Sequence, residues 1–427
     1  MNKKVTLGAA ICFMGIVAAI TFVITMIFSM GWFNNKMARV KEREQLYVKI
    51  AEIDNIVQKN FVDQATIDKE VLFDAMSEGY IAGLNDKYAA YYTPEELQKE
   101  QQSNEGVLVG IGVAAIKDES GYIKITEVYA SSPASESGLQ KDDLIIKVAD
   151  QDVVVLGYDE ALSAVAGEAG TKIKITYRRS GEDKDLELVR KKVEIPSVTY
   201  RMIGENGYIK ISGFNAATVA QFESALNACI KSDAKGLIFD VRNNGGGTLD
   251  SVQEILDKLL PAGVIAYQRG QDGKQEVLGI KSDASEVEMP MVVLANGNTA
   301  SAAELFVSAL RDYNKAKSVG AVTYGKGIMQ DMYTLSDGSA IKITTAYFDP
   351  PKSDNFHGVG IKPDFPVALT ADQEKNFEQL NETTDPQLKK AIEVISAKEM
   401  EESNTTTSSS TETVSSATEV TSSQAAK

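Results

Sequence analysis

The spacing of apolar residues divides this chain before any single residue draws notice. No charged residue stands between Lys4 and Lys36, a run longer than the roughly 20 residues that cross a bilayer and longer than the apolar part of a secretion signal. No A-x-A cleavage pattern precedes Trp32, so residues 1–36 read as a short N-terminus and a membrane-spanning anchor. From 37 to 102 apolar positions recur with helical period, as in Leu46–Ile56 and Val71–Ile81. Residues 103–194 alternate as short strands, with a small helix opening at Ser132-Pro133-Ala134 and a longer one near Tyr158–Val165. Between 195 and 370 two continuous apolar runs, at 237–241 and 289–295, read as buried strands. Each passes through a polar turn into a segment of helical spacing, Asp250–Leu260 and Ala302–Arg311. A helical pattern returns within 371–400. The Ser/Thr-rich stretch at 401–427 cannot bury enough apolar surface to offset chain entropy, which predicts a disordered tail.

Composition narrows the chemistry. The chain has one histidine, His357, and two cysteines, Cys12 in the apolar anchor and Cys229 in a helical segment. That leaves no disulfide pair and none of the usual zinc ligand sets, and no metal or cofactor is expected. A formal charge of −16 argues against nucleic acid and against anionic lipid beyond the anchor.

A serine nucleophile in this chain needs a base other than histidine, and a lysine is the natural candidate. Ser301 stands in the turn before the second predicted helix, where its hydroxyl would lie near the positive end of the helix dipole. Lys326 follows between two glycines, with Gln330 four residues on. A lysine whose reference pKa is roughly 10.4 accepts a proton at pH 7 only if burial or neighbouring charge depresses that value. Flanking glycines let backbone pack closely around the ammonium and exclude water. A purely structural reading competes, because Ser301-x-x-Glu304 is also a capping box. The other polar turn, Arg242-Asn-Asn-Gly-Gly-Gly247, can aim backbone N–H groups into a cavity.

Together these segments resemble the C-terminal processing peptidases, or tail-specific serine proteases, from about Glu44 to Ala397. The family shows R-N-N-P-G-G, N-x-x-S-A-S-A-S-E and T-x-G-K-G-x-x-Q, and this chain carries the corresponding runs at 242–247, 296–304 and 323–330. The resemblance implies Ser301 as nucleophile, Lys326 as general base and Gln330 as the amide that orients it, with the backbone amides of Gly246 and Ala302 as the oxyanion hole. Gly245 stands where the family has proline, and Thr299 and Ala303 where it has serine; none of these removes a reacting group. His357 belongs to a run matching the family's G-I-x-P-D turn and is left out of the site. Gly110-Ile111-Gly112-Val113, followed by Ser132-Pro133-Ala134 and Gly138-Leu139, resembles a PDZ domain. Such a loop takes the terminal carboxylate of an unstructured, apolar chain end while that peptide adds as a strand.

The resemblance implies an α/β protein: a ClpP- and crotonase-like protease core with an inserted PDZ domain, an N-terminal helical arm and a single transmembrane helix. Its divisions are the anchor at 1–36, the arm at 37–102, the PDZ domain at 103–194, the peptidase core at 195–370, a helical region at 371–400 and the tail. The implied protein is a membrane-anchored extracytoplasmic serine endopeptidase, single-pass in the cell membrane, acting on protein substrates with unstructured apolar C-termini, with a homodimer through the N-terminal helices. Two other classes stand beside it. A catalytically silent PDZ scaffold would bind tails without turnover, and a crotonase-like acyl-CoA enzyme would use a similar oxyanion hole.

Overall fold

The computed structural model describes residues 7–397, apart from 280, 284 and 285. The tail expected at 401–427 lies outside them. The chain divides into two compact units, Met1–Met76 and Ser77–Lys427. In the first, one helix runs Leu7–Asn60 across the expected boundary at residue 36. No proline interrupts it, so the apolar and the amphipathic stretches share one hydrogen-bonded ladder. Its segment Phe13–Met30 has a mean hydropathy of 2.3, and among the described residues it is the one stretch long and apolar enough to cross a membrane.

The second unit is organised by a sheet of six strands among the described residues, in the order Val198–Ile203, Asn206–Ile211, Gly236–Asp240, Met291–Ala295, Ala316–Gly320 and Phe365–Pro366. The first pair is antiparallel and the rest are parallel. Parallel strands covered on both faces need apolar side chains on both, which is why these runs are continuous rather than alternating. Phe239, Met291 and Val293 pack on one face with Phe214, Phe222 and Phe306. Ile238, Val292, Leu294 and Val319 pack on the other, against Leu388 and Ile395 of a helix at 386–397. Phe239 is fully buried, so Phe239→Ala would cost about 3–5 kcal/mol.

A second sheet centres on Ala340–Asp349, flanked by Ile328–Thr334 and by Ala90–Tyr92. The arm expected to be helical over 37–102 therefore contains a strand. Its paired tyrosines, Tyr91 and Tyr92, favour the extended backbone. The helix Pro94–Glu105 follows, capped by reciprocal bonds between Thr93 and Glu96.

Between these elements the small alternating region forms its own sheet and core. The strand that enters it, Val107–Gly110, pairs with the strand that leaves it, Lys191–Glu194. The region is thus an insertion into a core that starts before it and resumes after it. Its strand Val113–Lys117 lies at the sheet edge.

Candidate active site

Ser301 sits where the sequence pattern puts it, between the buried strand Met291–Ala295 and the helix Ala302–Asp312. The turn between them is fixed by side chains: the Thr299 hydroxyl donates to the Val241 carbonyl at 2.8 Å, and the Asn243 amide donates to Asn296 Oδ1 at 3.0 Å. Thr299 keeps a buried hydroxyl where the family has serine, so that departure costs the turn nothing. The constraints hold Ser301 at φ 56°, ψ −121°. A non-glycine residue at positive φ stores about 1–3 kcal/mol, which the surroundings must offset.

The glycine turn lies directly against the serine. A Cβ built on Gly246 would stand 2.8 Å from Ser301 Cβ and 3.0 Å from the Ala302 nitrogen, so these backbones adjoin. The Ala302 amide opens its helix, where the first N–H groups have no intrahelical partner. The Gly246 amide is engaged, donating to Asn244 Oδ1 at 2.8 Å. Below the turn, Arg242 is buried in a polar network. It reaches Asp240 at 2.6 Å, Asp385 at 2.8 Å and Gln387 at 2.9 Å.

Lys326 is half-buried beside Gly325, which takes φ 88°, and Gly327. Both glycines are tight against the 355–360 loop. Burial pushes the Lys326 ammonium down from its ordinary value, and the charge of Lys342 adds to this; Tyr324, Asp86 and Glu100 oppose it. Its Nζ stands over the Tyr88 ring, 4.8 Å from the centroid, and among the described residues it makes no hydrogen bond to the Ser301 hydroxyl. Gln330 lies in the strand Ile328–Thr334 just past a bulge at Met329/Gln330, and its amide nitrogen is buried without a hydrogen-bond partner.

One cavity of about 460 Å³ is lined by Ser301, Lys326 and Gln330 together with Gly245, Gly247 and Lys342. Lys342 was not singled out in the sequence; it pairs with Glu100 at 3.0 Å and lies over the Tyr92 ring at 4.9 Å. A larger opening of about 630 Å³, bordered by Arg311, Lys317, Lys362 and Asp364, contains none of the expected site residues. His357 does not line the serine cavity. Its ring meets Tyr347 edge-on at 5.8 Å, and its buried Nδ1 has no partner.

In the inserted region Ile111 is buried and its carbonyl accepts the Ala134 amide at 2.8 Å. Gly112 takes φ 81°, where a Cβ would strike Ser132. Gly110 lies against the end of the helix Tyr158–Val165, 3.5 Å from the Val165 carbonyl to an added Cβ. The loop 110–113 is therefore clamped between two short helices and leads straight into the edge strand beginning at Val113.

The chain is similar in sequence to known proteins. The family model for peptidase family S41 matches residues 205–367, and the PDZ domain model matches residues 124–179. A probable CtpA-like serine protease of Staphylococcus epidermidis is 30% identical over 366 residues, covering 85% of this chain and 74% of the relative. One from Staphylococcus aureus is 32% identical over 357 residues, covering 82% and 70%. A solved photosystem II D1 C-terminal processing protease is 24% identical, covering 73% of this chain and 86% of its own, with a TM-score of 0.45.

Proposed function

The chain belongs to peptidase family S41, as a CtpA-like C-terminal processing serine protease with a PDZ domain, and from that premise we propose that it works through a Ser301–Lys326 dyad on protein substrates with unstructured apolar C-termini. The observation that carries this reading is the single cavity shared by Ser301, Lys326 and Gln330. A substrate tail adds to the edge strand at Val113–Lys117 with its carboxylate at the 110–113 loop, and more of the chain reaches the cavity. Ser301 Oγ attacks a peptide carbonyl as neutral Lys326 takes its proton. The tetrahedral oxyanion is met by the Ala302 amide and by Gly246 once its N–H leaves Asn244. Lys326 then protonates the leaving amine, and water resolves the acyl-enzyme by the same proton path in reverse. Gln330, with its amide nitrogen unpaired in a buried position, orients the lysine.

The apolar helix segment Phe13–Met30 supports a single-pass anchor; the orientation, with the N-terminus inside and the protease outside the membrane, follows from the family resemblance alone. In the N-terminal unit, Ile53, Ile56 and Phe73 expose large apolar surfaces, which supports a homodimer formed there. The test is cleavage of an unfolded protein with an apolar C-terminus by the full chain in detergent micelles, beside Ser301→Ala and Lys326→Ala. Tail binding retained with cleavage lost in both variants supports the dyad. Equal cleavage by all three proteins removes it. Tail binding without cleavage even in the unaltered chain favours a silent scaffold.

A further inference from the structure

Glu304 lies in the helix that Ser301 opens and is fully buried. Among the described residues no salt bridge reaches it, yet four donors converge on its carboxylate. Oε1 accepts the Thr323 hydroxyl at 2.5 Å and the Gly325 amide at 2.7 Å; Oε2 accepts the Ser301 amide at 2.9 Å and the Lys326 amide at 2.7 Å. A buried carboxylate is tolerated when its lone pairs are filled in this way. A helix cap needs only the contact with Ser301. The other three bonds go to the segment that carries the lysine, and that segment is tied onward, because the Ile361 amide donates to the Thr323 hydroxyl at 2.7 Å.

We infer that Glu304 is a positioning residue for the proposed dyad: one oxygen holds the backbones of Ser301 and Lys326 to a common point and so sets the reach of the lysine side chain toward the serine hydroxyl. The inference rests on the reading of Ser301 and Lys326 as the reacting pair. Lys342, the other lysine of the cavity, does not supply this link, since it is paired to Glu100. Glu304→Gln keeps the shape but turns an amide NH2 toward backbone N–H donors on one side, which displaces the 323–326 segment. A misplacement of about 1 Å costs on the order of 10²-fold in rate.

The experiment is the rate at which a fluorophosphonate labels Ser301 Oγ in the full chain in micelles, for the unaltered protein, Glu304→Gln, Lys326→Ala and the double variant, with kcat and KM for a tail-bearing substrate measured beside it. Glu304→Gln is expected to slow labelling and kcat on the order of 100-fold while KM stays within about 3-fold. The double variant is expected to be no slower than Lys326→Ala, because residues acting through one another are not additive. Labelling by Glu304→Gln at the unaltered rate, or losses that multiply in the double variant, overturns the inference. Labelling of Lys326→Ala at the unaltered rate brings down the dyad reading itself, a separate failure. If Glu304→Gln does not fold, Thr323→Val, which removes one donor to Glu304 and the acceptor of the Ile361 amide, is expected to slow labelling about 10-fold; an unchanged rate there overturns the inference.

Discussion

Lys342 Nζ and Glu100 Oε1 meet at 3.0 Å in the wall of the cavity that also holds Ser301 and Lys326. The two charges push the proposed base in opposite directions, Lys342 lowering its pKa and Glu100 raising it. If neutral Lys326 is the base, kcat/KM climbs with pH as that lysine loses its proton in the free enzyme. Lys342→Met is expected to move the climbing limb to higher pH and Glu100→Gln to move it to lower pH. A pH series of kcat/KM checks both, and a limb that stays put in the two variants means the pair does not tune the base.

A second consequence concerns stability. Burial first and Lys342 second set the folded pKa of Lys326 below its unfolded value of roughly 10.4. Between the two values the unfolded chain holds more protons, so stability rises with pH across that window. The cost of the buried charge is present in full below the folded pKa and gone above the unfolded one. Lys326→Met is therefore expected to melt at a higher temperature than the unaltered protein at neutral pH, with the gain fading as pH approaches 10. Calorimetry at several pH values decides it, and an unchanged melting temperature at pH 7 counts against a charged, desolvated lysine.

What the sequence made legible was local. The strand, turn and helix around Ser301 follow from a continuous apolar run meeting a helical one, and the glycines beside Lys326 and at 246–247 sit where close backbone approach requires them. The positive φ of Ser301 was not legible, because bonds from Thr299 to Val241 and from Asn243 to Asn296 impose it from another strand's turn. Nor was the Lys342–Glu100 pair, which depends on Ala90 lying opposite Lys342 in a sheet that the helical pattern of 37–102 concealed. Glu304 showed its near contact as a capping pattern, while its bonds to Thr323, Gly325 and Lys326 come from a segment that no periodicity ties to it. The bond from Gly246 to Asn244 had a visible signal, an asparagine two residues ahead of a glycine, which is the spacing of an Asx turn.

The helix at 386–397 is expected to hold the glycine turn from below. Asp385 Oδ1 caps that helix through the amides of Gln387 and Leu388, at 2.9 and 3.1 Å, while Oδ2 pairs with the buried Arg242 at 2.8 Å. Asp385→Ala removes a cap and one partner of a buried ion network, a loss of about 3–5 kcal/mol. The expected result is a lower melting transition, with reduced kcat in the protein that remains folded. A melting temperature within a degree of the unaltered protein would mean that Asp240 and Gln387 suffice for Arg242.

Gly245 and Gly246 are neighbours with opposite tolerances. Gly246 takes φ 104°, and an added Cβ would lie 2.8 Å from both the Ala300 carbonyl oxygen and Ser301 Cβ, contacts that only a shift of the serine turn could relieve. Gly246→Ala keeps the N–H but displaces it and the serine turn, and is expected to lower kcat by up to about 10²–10³-fold, the loss seen when one oxyanion donor is missing, with tail affinity unchanged. Gly245 has open space around an added Cβ and no left-handed φ, and the family has proline there. Gly245→Pro is expected to raise stability by about 0.4–1 kcal/mol through a less flexible unfolded chain and to keep full activity. Proline also deletes the Gly245 N–H, so the pair of variants separates two donors. If Gly245→Pro folds and loses activity while Gly246→Ala keeps it, the oxyanion donor is Gly245, and the bond from the Gly246 amide to Asn244 is a permanent part of the turn rather than one that substrate releases.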